Sequence, residues 1–323
     1  MRVDVPGLAR RHRWIWSALG VLLLWLCLSL LTQRVSLHAL SGVATSAAFL
    51  LIAALGQMIV VTTGRGNIDL SIPSVITLSA FATVTSSGGQ DVRLGLTIGA
   101  VGVLGALTGL TNAALVVLLG IPAIIATLAT GYMLATATLL VNQLVKPGGT
   151  AETLAWLAAG RVGGVPVAGL LALGLVLALS FTLSRLAYGR QLAAVGQSWG
   201  AARLAGVATG RTTAIAFVAS ALLAALTGML LSAYSGGAFL EMGTPYLLQT
   251  VGAVVLGGTL ISGGSASPIG TLFGAFLLVL IIVTMQVAGL PLGTQDIVQG
   301  VVIILVLALA GPRGAQKAPS AKS

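Results

Sequence analysis

The sequence predicts an all-α, polytopic membrane helical bundle of about ten transmembrane helices, and three observations carry that prediction. Hydrophobic residues make up 57% of the 323 residues and charged residues only 7%, whereas soluble domains hold roughly 45–50% and about 25%. Mean hydropathy is +1.07, and the apolar residues fall in runs long enough for lipid to be the solvent. The 16 basic residues lie between those runs, so the net charge of +10 reads as a topology signal and not as a nucleic-acid footprint. Disorder and an ordinary cytosolic enzyme are excluded by the same numbers. So is a disulfide framework, because Cys27 stands alone inside the first run.

The first run, Trp14 to Leu31, follows Arg2, Arg10, Arg11 and Arg13. A basic head before an apolar stretch is also the form of a secretory signal. This run approaches the roughly 20 residues needed to span a bilayer, and Thr32-Gln33-Arg34 offers no small-residue cleavage site. It reads as a retained span covering 14–32. Further spans are expected near 43–63, 70–87, 94–119, 121–144, 166–187, 213–233, 248–262, 269–289 and 296–310. The third, eighth and tenth are short enough to be broken or partly re-entrant. Between the fourth and fifth only Gly120 and Pro122 punctuate the chain. The organisation is then a tail (1–13), a transmembrane domain (14–310) with one substantial loop (188–212), and a second tail (311–323).

Basic residues orient the bundle. With the N-terminus in the cytoplasm, inside segments hold Arg2, Arg10, Arg11, Arg13, Arg65, Arg185, Arg190, Arg203, Arg211, Arg313, Lys317 and Lys322. Outside segments hold Arg34, Arg93, Lys146 and Arg161, a split of 12 to 4. That asymmetry predicts N-in and C-in. Gly95 with Gly99, Gly105 with Gly109, and Gly270 with Gly274 form GxxxG pairs. Such pairs let helix backbones approach closely, and tight helix packing is preferred here over a ligand role.

Two apolar runs are interrupted alike. The second is followed by Thr62-Thr63-Gly64-Arg65-Gly66-Asn67-Ile68-Asp69-Leu70-Ser71-Ile72-Pro73-Ser74, and the eighth by Gly257-Gly258-Thr259 through Ser267-Pro268-Ile269-Gly270. Spans two to five and seven to ten start from opposite sides, as in an inverted repeat, and paired interruptions are the best sequence pointer to a transport path. Asn67, Asp69, Ser71, Gly257, Gly258 and Thr259 are the candidate path or gating residues. A carboxylate such as Asp69 costs about 2.5–3.5 kcal/mol at the bilayer centre. Arg65 and the Ser71 hydroxyl are its expected compensation. A helix cap on the next run is preferred for it over direct substrate contact.

The loop from Tyr188 to Val207 has no acidic residue. Ser198 is placed to N-cap a short helix over Trp199–Ala205, ended by Gly206 in the left-handed conformation. A helix that short has no core of its own and must dock, either on its own spans or in another protein's groove.

Three motifs together resemble a family. Tyr188-Gly189-Arg190, Val195-Gly196 and Ala201-Ala202-Arg203-Leu204-Ala205-Gly206-Val207 are similar to the loop of ribose-type ABC importer permeases. Asn67-Ile68-Asp69-Leu70-Ser71 and Val255-Leu256-Gly257-Gly258-Thr259…Ser262-Gly263-Gly264…Gly270-Thr271-Leu272-Phe273-Gly274-Ala275 resemble two further motifs, in matching order over about residues 43–310. The chain departs from the pattern with Gln197-Ser198-Trp199-Gly200, where acidic residues usually stand, and with Gly64-Arg65-Gly66-Asn67 in place of Gly-Gly. The resemblance implies a coupling helix seated in a separate ABC ATPase subunit through Ala201, Ala202, Arg203, Leu204 and Gly206, with Ser198 as its cap. It implies a second permease copy or paralogue, a soluble sugar-binding protein, and a monosaccharide or related polyol as cargo. Bacterial inner-membrane lipid surrounds such a permease; no nucleic acid is a partner.

No GxxxxGK[ST] pattern occurs, so ATP hydrolysis is expected on the partner subunit and the chain is expected to carry no cofactor. His12 and His38 are isolated, which gives no metal site. The rival reading is an ATPase-independent secondary transporter or facilitator. Scarcity of intramembrane charge argues against ion coupling but not against a passive facilitator. A membrane scaffold accounts for neither the paired breaks nor the loop.

Overall fold

The computed structural model describes residues 14–32, 37–144 and 149–310. The two tails, Arg34 and Lys146 lie outside the described residues, so much of the basic asymmetry does too. Thirteen helices are described. They are α1 (Trp14–Thr32), α2 (Leu37–Thr62), α3 (Ile72–Ser87), α4 (Leu94–Ala113), α5 (Ala123–Leu144), α6 (Glu152–Ala159) and α7 (Val167–Arg185). Then follow α8 (Ala187–Gln197), α9 (Trp199–Leu204), α10 (Thr209–Ser235), α11 (Tyr246–Leu256), α12 (Pro268–Val287) and α13 (Leu292–Ala310).

Six helices are long and apolar enough to cross a membrane: Leu40–Thr62, Asp91–Leu118, Ala123–Gln143, Val167–Arg185, Thr209–Ser235 and Pro268–Val287. Four shorter apolar helices, Trp14–Leu30, Ile72–Ser87, Tyr246–Leu256 and Leu292–Leu305, occupy the remaining expected positions. The third and eighth are short as expected, with 16 and 11 residues. The eighth ends sooner than the apolar run does: Gly258 takes φ +81° and the helix stops at Leu256, so Thr259 to Ser262 belong to the break and not to a span.

Two further departures are local. Past Ala113 the fourth helix loosens into a π turn, Ala114–Leu118, and Gly120 (φ +69°) and Pro122 then redirect the chain into α5. Before α7, Arg161–Val162 pairs antiparallel with Val165–Pro166. The Gly163-Gly164 dipeptide between them has positive φ at both positions, the requirement of a two-residue hairpin. This ribbon is the one exception to all-α among the described residues.

The core forms around α2, whose most apolar stretch is 89% buried, whereas those of α5 and α7 are 28% and 22% buried and lie at the periphery. Two helices exchange places in the packing: α10 packs on α3 and α4, and α2 packs on α11 and α12, with α2 and α10 also in contact. Small residues permit these approaches. A Cβ on Gly109 would stand 2.4 Å from the Cα of Val218, and one on Gly274 would stand 2.1 Å from the Ala253 carbonyl oxygen. Gly95 and Gly99 meet nothing, so that GxxxG pair does not pack within the chain.

Candidate functional site

The end of α2 is undone by its own side chains and glycines. Thr62 and Thr63 donate their hydroxyls to the carbonyls of Met58 and Val60, and three successive residues, Gly64, Arg65 and Gly66, take positive φ. Arg65 is the only non-glycine residue in that region among the described residues. A side chain held there costs on the order of 1–3 kcal/mol and persists where its surroundings hold it. Asn67 closes the turn, its side-chain amide donating to the Thr63 hydroxyl at 2.8 Å and its backbone N–H to the Gly64 carbonyl.

Asp69 is buried, and its compensation differs from the expected one. Arg65 is exposed and is not its partner. Instead Oδ1 accepts from the Ser71 hydroxyl at 2.6 Å and the Ser71 N–H at 3.0 Å, while Oδ2 accepts from the Ser220 hydroxyl on α10 at 2.7 Å. Ser71 is the residue at the start of α3, and Asp69 reaches it through a side-chain turn, so the carboxylate braces the cap and is not itself the cap. Asn112 on α4 donates to the Ser71 hydroxyl, and Gln57 on α2 accepts from the Asp69 N–H. The Thr127 hydroxyl on α5 accepts from the Leu70 N–H. Five helices therefore meet around the Asp69–Ser71 segment, and two of them, through Ser71 and Ser220, touch the carboxylate itself. The Asn112 carbonyl oxygen and the Gln57 amide nitrogen are buried without protein partners.

The two breaks touch, and the end of α8 is wedged between them. The Gly264 N–H donates to the Thr62 carbonyl at 2.9 Å. A Cβ on Gly196 would stand 2.0 Å from that carbonyl oxygen and 2.2 Å from the Gly264 nitrogen, and one on Gly263 would stand 2.3 Å from the Gly64 Cα. Three backbones thus pack with no room for a side chain. Gly257, Gly258 and Thr259 serve the second break from within. Gly257 packs on Gly270, Gly258 reverses the chain, and the Thr259 hydroxyl accepts from the Ser267 N–H.

Gln197 ends α8, and α9 begins two residues later. The Ser198 hydroxyl accepts from the Ala201 N–H at 3.3 Å. At the other end the Gly206 N–H donates to the Arg203 carbonyl, the Val207 N–H donates to the Ala202 carbonyl, and Gly206 has φ +80°. That double bond pattern with a left-handed glycine is a complete C-terminal stop. Trp199 fastens the helix to the first break: the guanidinium carbons of Arg65 and Arg203 lie 5.3 and 5.5 Å from its ring centroid. Tyr188 on α8 donates its hydroxyl to the Thr212 carbonyl on α10, and burial pushes that phenol well above its ordinary range, so it acts as a neutral donor.

The candidate coupling residues do not share one face. Ala202 is buried against the chain's own body, while Ala201, Arg203 and Gly206 are exposed and Leu204 is 92% exposed. The helix both docks on its own fold and presents an unburied side. The candidate path residues likewise divide, Asn67, Asp69 and Ser71 around the first break and Gly257, Gly258 and Thr259 inside the second. The glycine junction is what joins them. Sequence reasoning did not find Gln57, Asn112 and Ser220, since lone polar residues in apolar runs announce no partner. Trp199 stood in a quoted motif with no sign of its two arginines.

Residues 39–307 match the family described as "Branched-chain amino acid transport system / permease component". The "Autoinducer 2 import system permease protein LsrC" of Enterobacter sp. (strain 638) is 34% identical over 303 residues, 93% of this chain and 87% of that protein. The protein of the same name from Klebsiella pneumoniae subsp. pneumoniae is 36% identical over 275 residues, covering 85% and 79% of the two chains. The "Probable ABC transporter permease protein y4mJ" of Sinorhizobium fredii is 32% identical over 280 residues, covering 85% and 82%. No solved structure matches the chain. With a buried carboxylate hub, two touching breaks and a half-exposed loop helix on a bundle of apolar spans, and with matches of this extent, the chain belongs to the permease family of bacterial ABC importers, as the multi-pass inner-membrane subunit that is not itself the ATPase.

Proposed function

We propose that this permease carries a monosaccharide or related polyol, received from a soluble binding protein, and that a separate ATPase drives it through α9. In this reading ten helices span the membrane with both termini inside. A second permease copy or paralogue completes the path. The observation that carries the reading is the glycine junction. A push on α9 reaches Gly196 through Ser198, and Gly196 bears on both breaks at once. From the first break the displacement passes to Asp69 and so to five helices. Interiors this closely packed switch between arrangements in preference to deforming smoothly. The path and gating roles of Asn67, Asp69, Ser71, Gly257, Gly258 and Thr259 are then those of hinges, not of ligand contacts.

The exchange of α2 and α10 supports the inverted repeat. α10 packs on α3 and α4 as α2 packs on α11 and α12, which pairs the short α3 with the short α11. In that register the break before α3 corresponds to the segment 236–245 before α11, and the break at 257–267 to the residues after α3. A second reading of the cargo, autoinducer 2, is favoured by the names of the relatives from Enterobacter and Klebsiella.

Leu204→Glu tests the coupling role. Leu204 is too exposed to matter for the fold, so the variant should reach the membrane at normal abundance yet lose co-purifying ATPase and uptake. Arg203→Glu should behave alike. Ala202→Trp is a different experiment, because Ala202 faces inward and overpacking there costs about 1–3 kcal/mol of the permease's own stability. Parental uptake by Leu204→Glu, with the ATPase present and required, overturns the assignment.

A further inference from the structure

We infer that a cavity between the start of α3, the middle of α5 and the segment 236–245 is a weak binding site on the transport path for a neutral polyhydroxylated solute. The inference rests on the importer reading and adds to it a place on the path where the cargo is held. The cavity measures about 290 Å³ and is lined by Ser74, Thr77, Thr138, Thr244 and Glu241, with Pro73, Ala135, Leu139 and Leu240 completing its wall.

Depth is the first argument. α11 has 11 residues, about 17 Å of helix at 1.5 Å per residue, against a hydrocarbon core of about 30 Å. The irregular segments at its two ends therefore reach into the membrane. Segment 236–245 docks on the first turn of α3: the Gly243 N–H donates to the Thr77 hydroxyl at 3.0 Å, and a Cβ there would stand 1.9 Å from the Pro73 carbonyl oxygen. Irregular backbone at that depth is tolerated where it is buried in protein or lines a cavity, and an ionisable residue there is a functional site by default.

Chemistry is the second. The lining offers four hydroxyls and one carboxylate, and no lysine or arginine. Glu241 Oε2 accepts from the Thr244 hydroxyl at 2.9 Å, and an ionised carboxylate has acceptor capacity for more donors. Adjacent hydroxyls of a sugar or polyol supply such donors. A free amino acid, the cargo class in the family's description, brings an ammonium that Glu241 can accept, but its carboxylate finds no cation in the lining, so the cavity matches only half of it. The volume lies at the lower edge of the roughly 300–1,000 Å³ usual for small-molecule sites, which suits a solute of monosaccharide size. Position is the third. Ser74 lies three residues beyond Ser71, so an occupant bears on the same helix start that Asp69 holds.

The test places a single thiol in the cavity of the full-length chain in membrane vesicles. Ser74→Cys and, separately, Ala135→Cys are made in a Cys27→Ser background, and the rate of modification by a small charged methanethiosulfonate is measured. D-ribose and D-mannitol at high concentration should slow modification at both positions, and L-leucine at the same concentration should not. Adding Glu241→Gln should raise the protecting concentration about tenfold, equivalent to about 1.4 kcal/mol. No modification at either position, modification that no polyol slows, or protection by L-leucine equal to that by the polyols overturns the inference. Co-purification of the ATPase is scored on the same preparations. Loss of protection with the ATPase bound refutes the cavity alone, and protection without any ATPase refutes the importer coupling alone.

Discussion

The guanidinium of Arg65 stands 5.3 Å from the centre of the Trp199 ring, which Arg203 approaches at 5.5 Å. One residue thus ties the only left-handed side chain described in the protein to the helix proposed to receive the ATPase. Contacts of this kind are worth about 0.5–1 kcal/mol at exposed sites, too little to hold the fold and enough to bias a switch. Trp199→Ala should leave membrane abundance unchanged while lowering uptake per ATP hydrolysed. Trp199→Phe should keep most of it. Measuring uptake and hydrolysis on the same vesicles checks the ratio.

The Asp69 hub should behave as a unit. Asp69→Ala strips three hydrogen bonds to a buried carboxyl group, each worth on the order of 1 kcal/mol, and leaves buried hydroxyls unpaired at a further cost of about 1–3 kcal/mol each. The thermal midpoint of the detergent-solubilised protein should fall sharply. Asp69→Asn and Ser220→Ala should each cost less, and their double variant should cost less than the two added together, by about 1 kcal/mol or more for residues in contact. Additive losses would separate the two side chains.

Gly196→Ala should abolish uptake, because its Cβ has 2.0 Å to the Thr62 carbonyl oxygen. Gly200→Ala is the matched control on α9. Its Cβ meets nothing, and alanine is favoured over glycine in a helix by about 1 kcal/mol. Uptake should survive there, and retained activity in both variants would remove the junction from the mechanism.

Topology is open to a direct reading. Fusions of an export-dependent reporter at either terminus should be inactive, and one placed near Glu152 should be active. Activity at a terminus refutes the inside assignment.

Much of the fold was legible because lipid imposes long apolar runs, and their punctuation falls at Gly120, Gly206 and Pro268 where glycine and proline physics puts it. The α9 boundaries followed from Ser198 and Gly206 for the same reason. The end of α11 did not, since Leu260 and Ile261 continue the apolar run and only the backbone of Gly258 interrupts it. Partnerships were the hidden part. Arg65 lies near enough to Asp69 in sequence to suggest an ion pair, yet hydroxyls from Ser71 and Ser220 satisfy the carboxylate, and Ser220 is 151 positions away. The docking of Gly243 on Pro73 and Thr77 was hidden too, because the segment 236–245 looks in sequence like an ordinary loop.

The exchange of α2 and α10 also governs how the chain is assembled during synthesis. α3 and α4 are made early, but the helix that covers them, α10, emerges only after α5 and α7. α2 in turn waits for α11 and α12. Neither half completes its own core, so a ribosome-bound fragment ending after α5 holds the Asp69 carboxyl, the Ser71 hydroxyl and the Asn112 amide beside a gap that Ser220 has yet to fill. The site around Asp69 is complete only once α10 has been made, and a break in the chain between the halves should leave two fragments that need each other to fold.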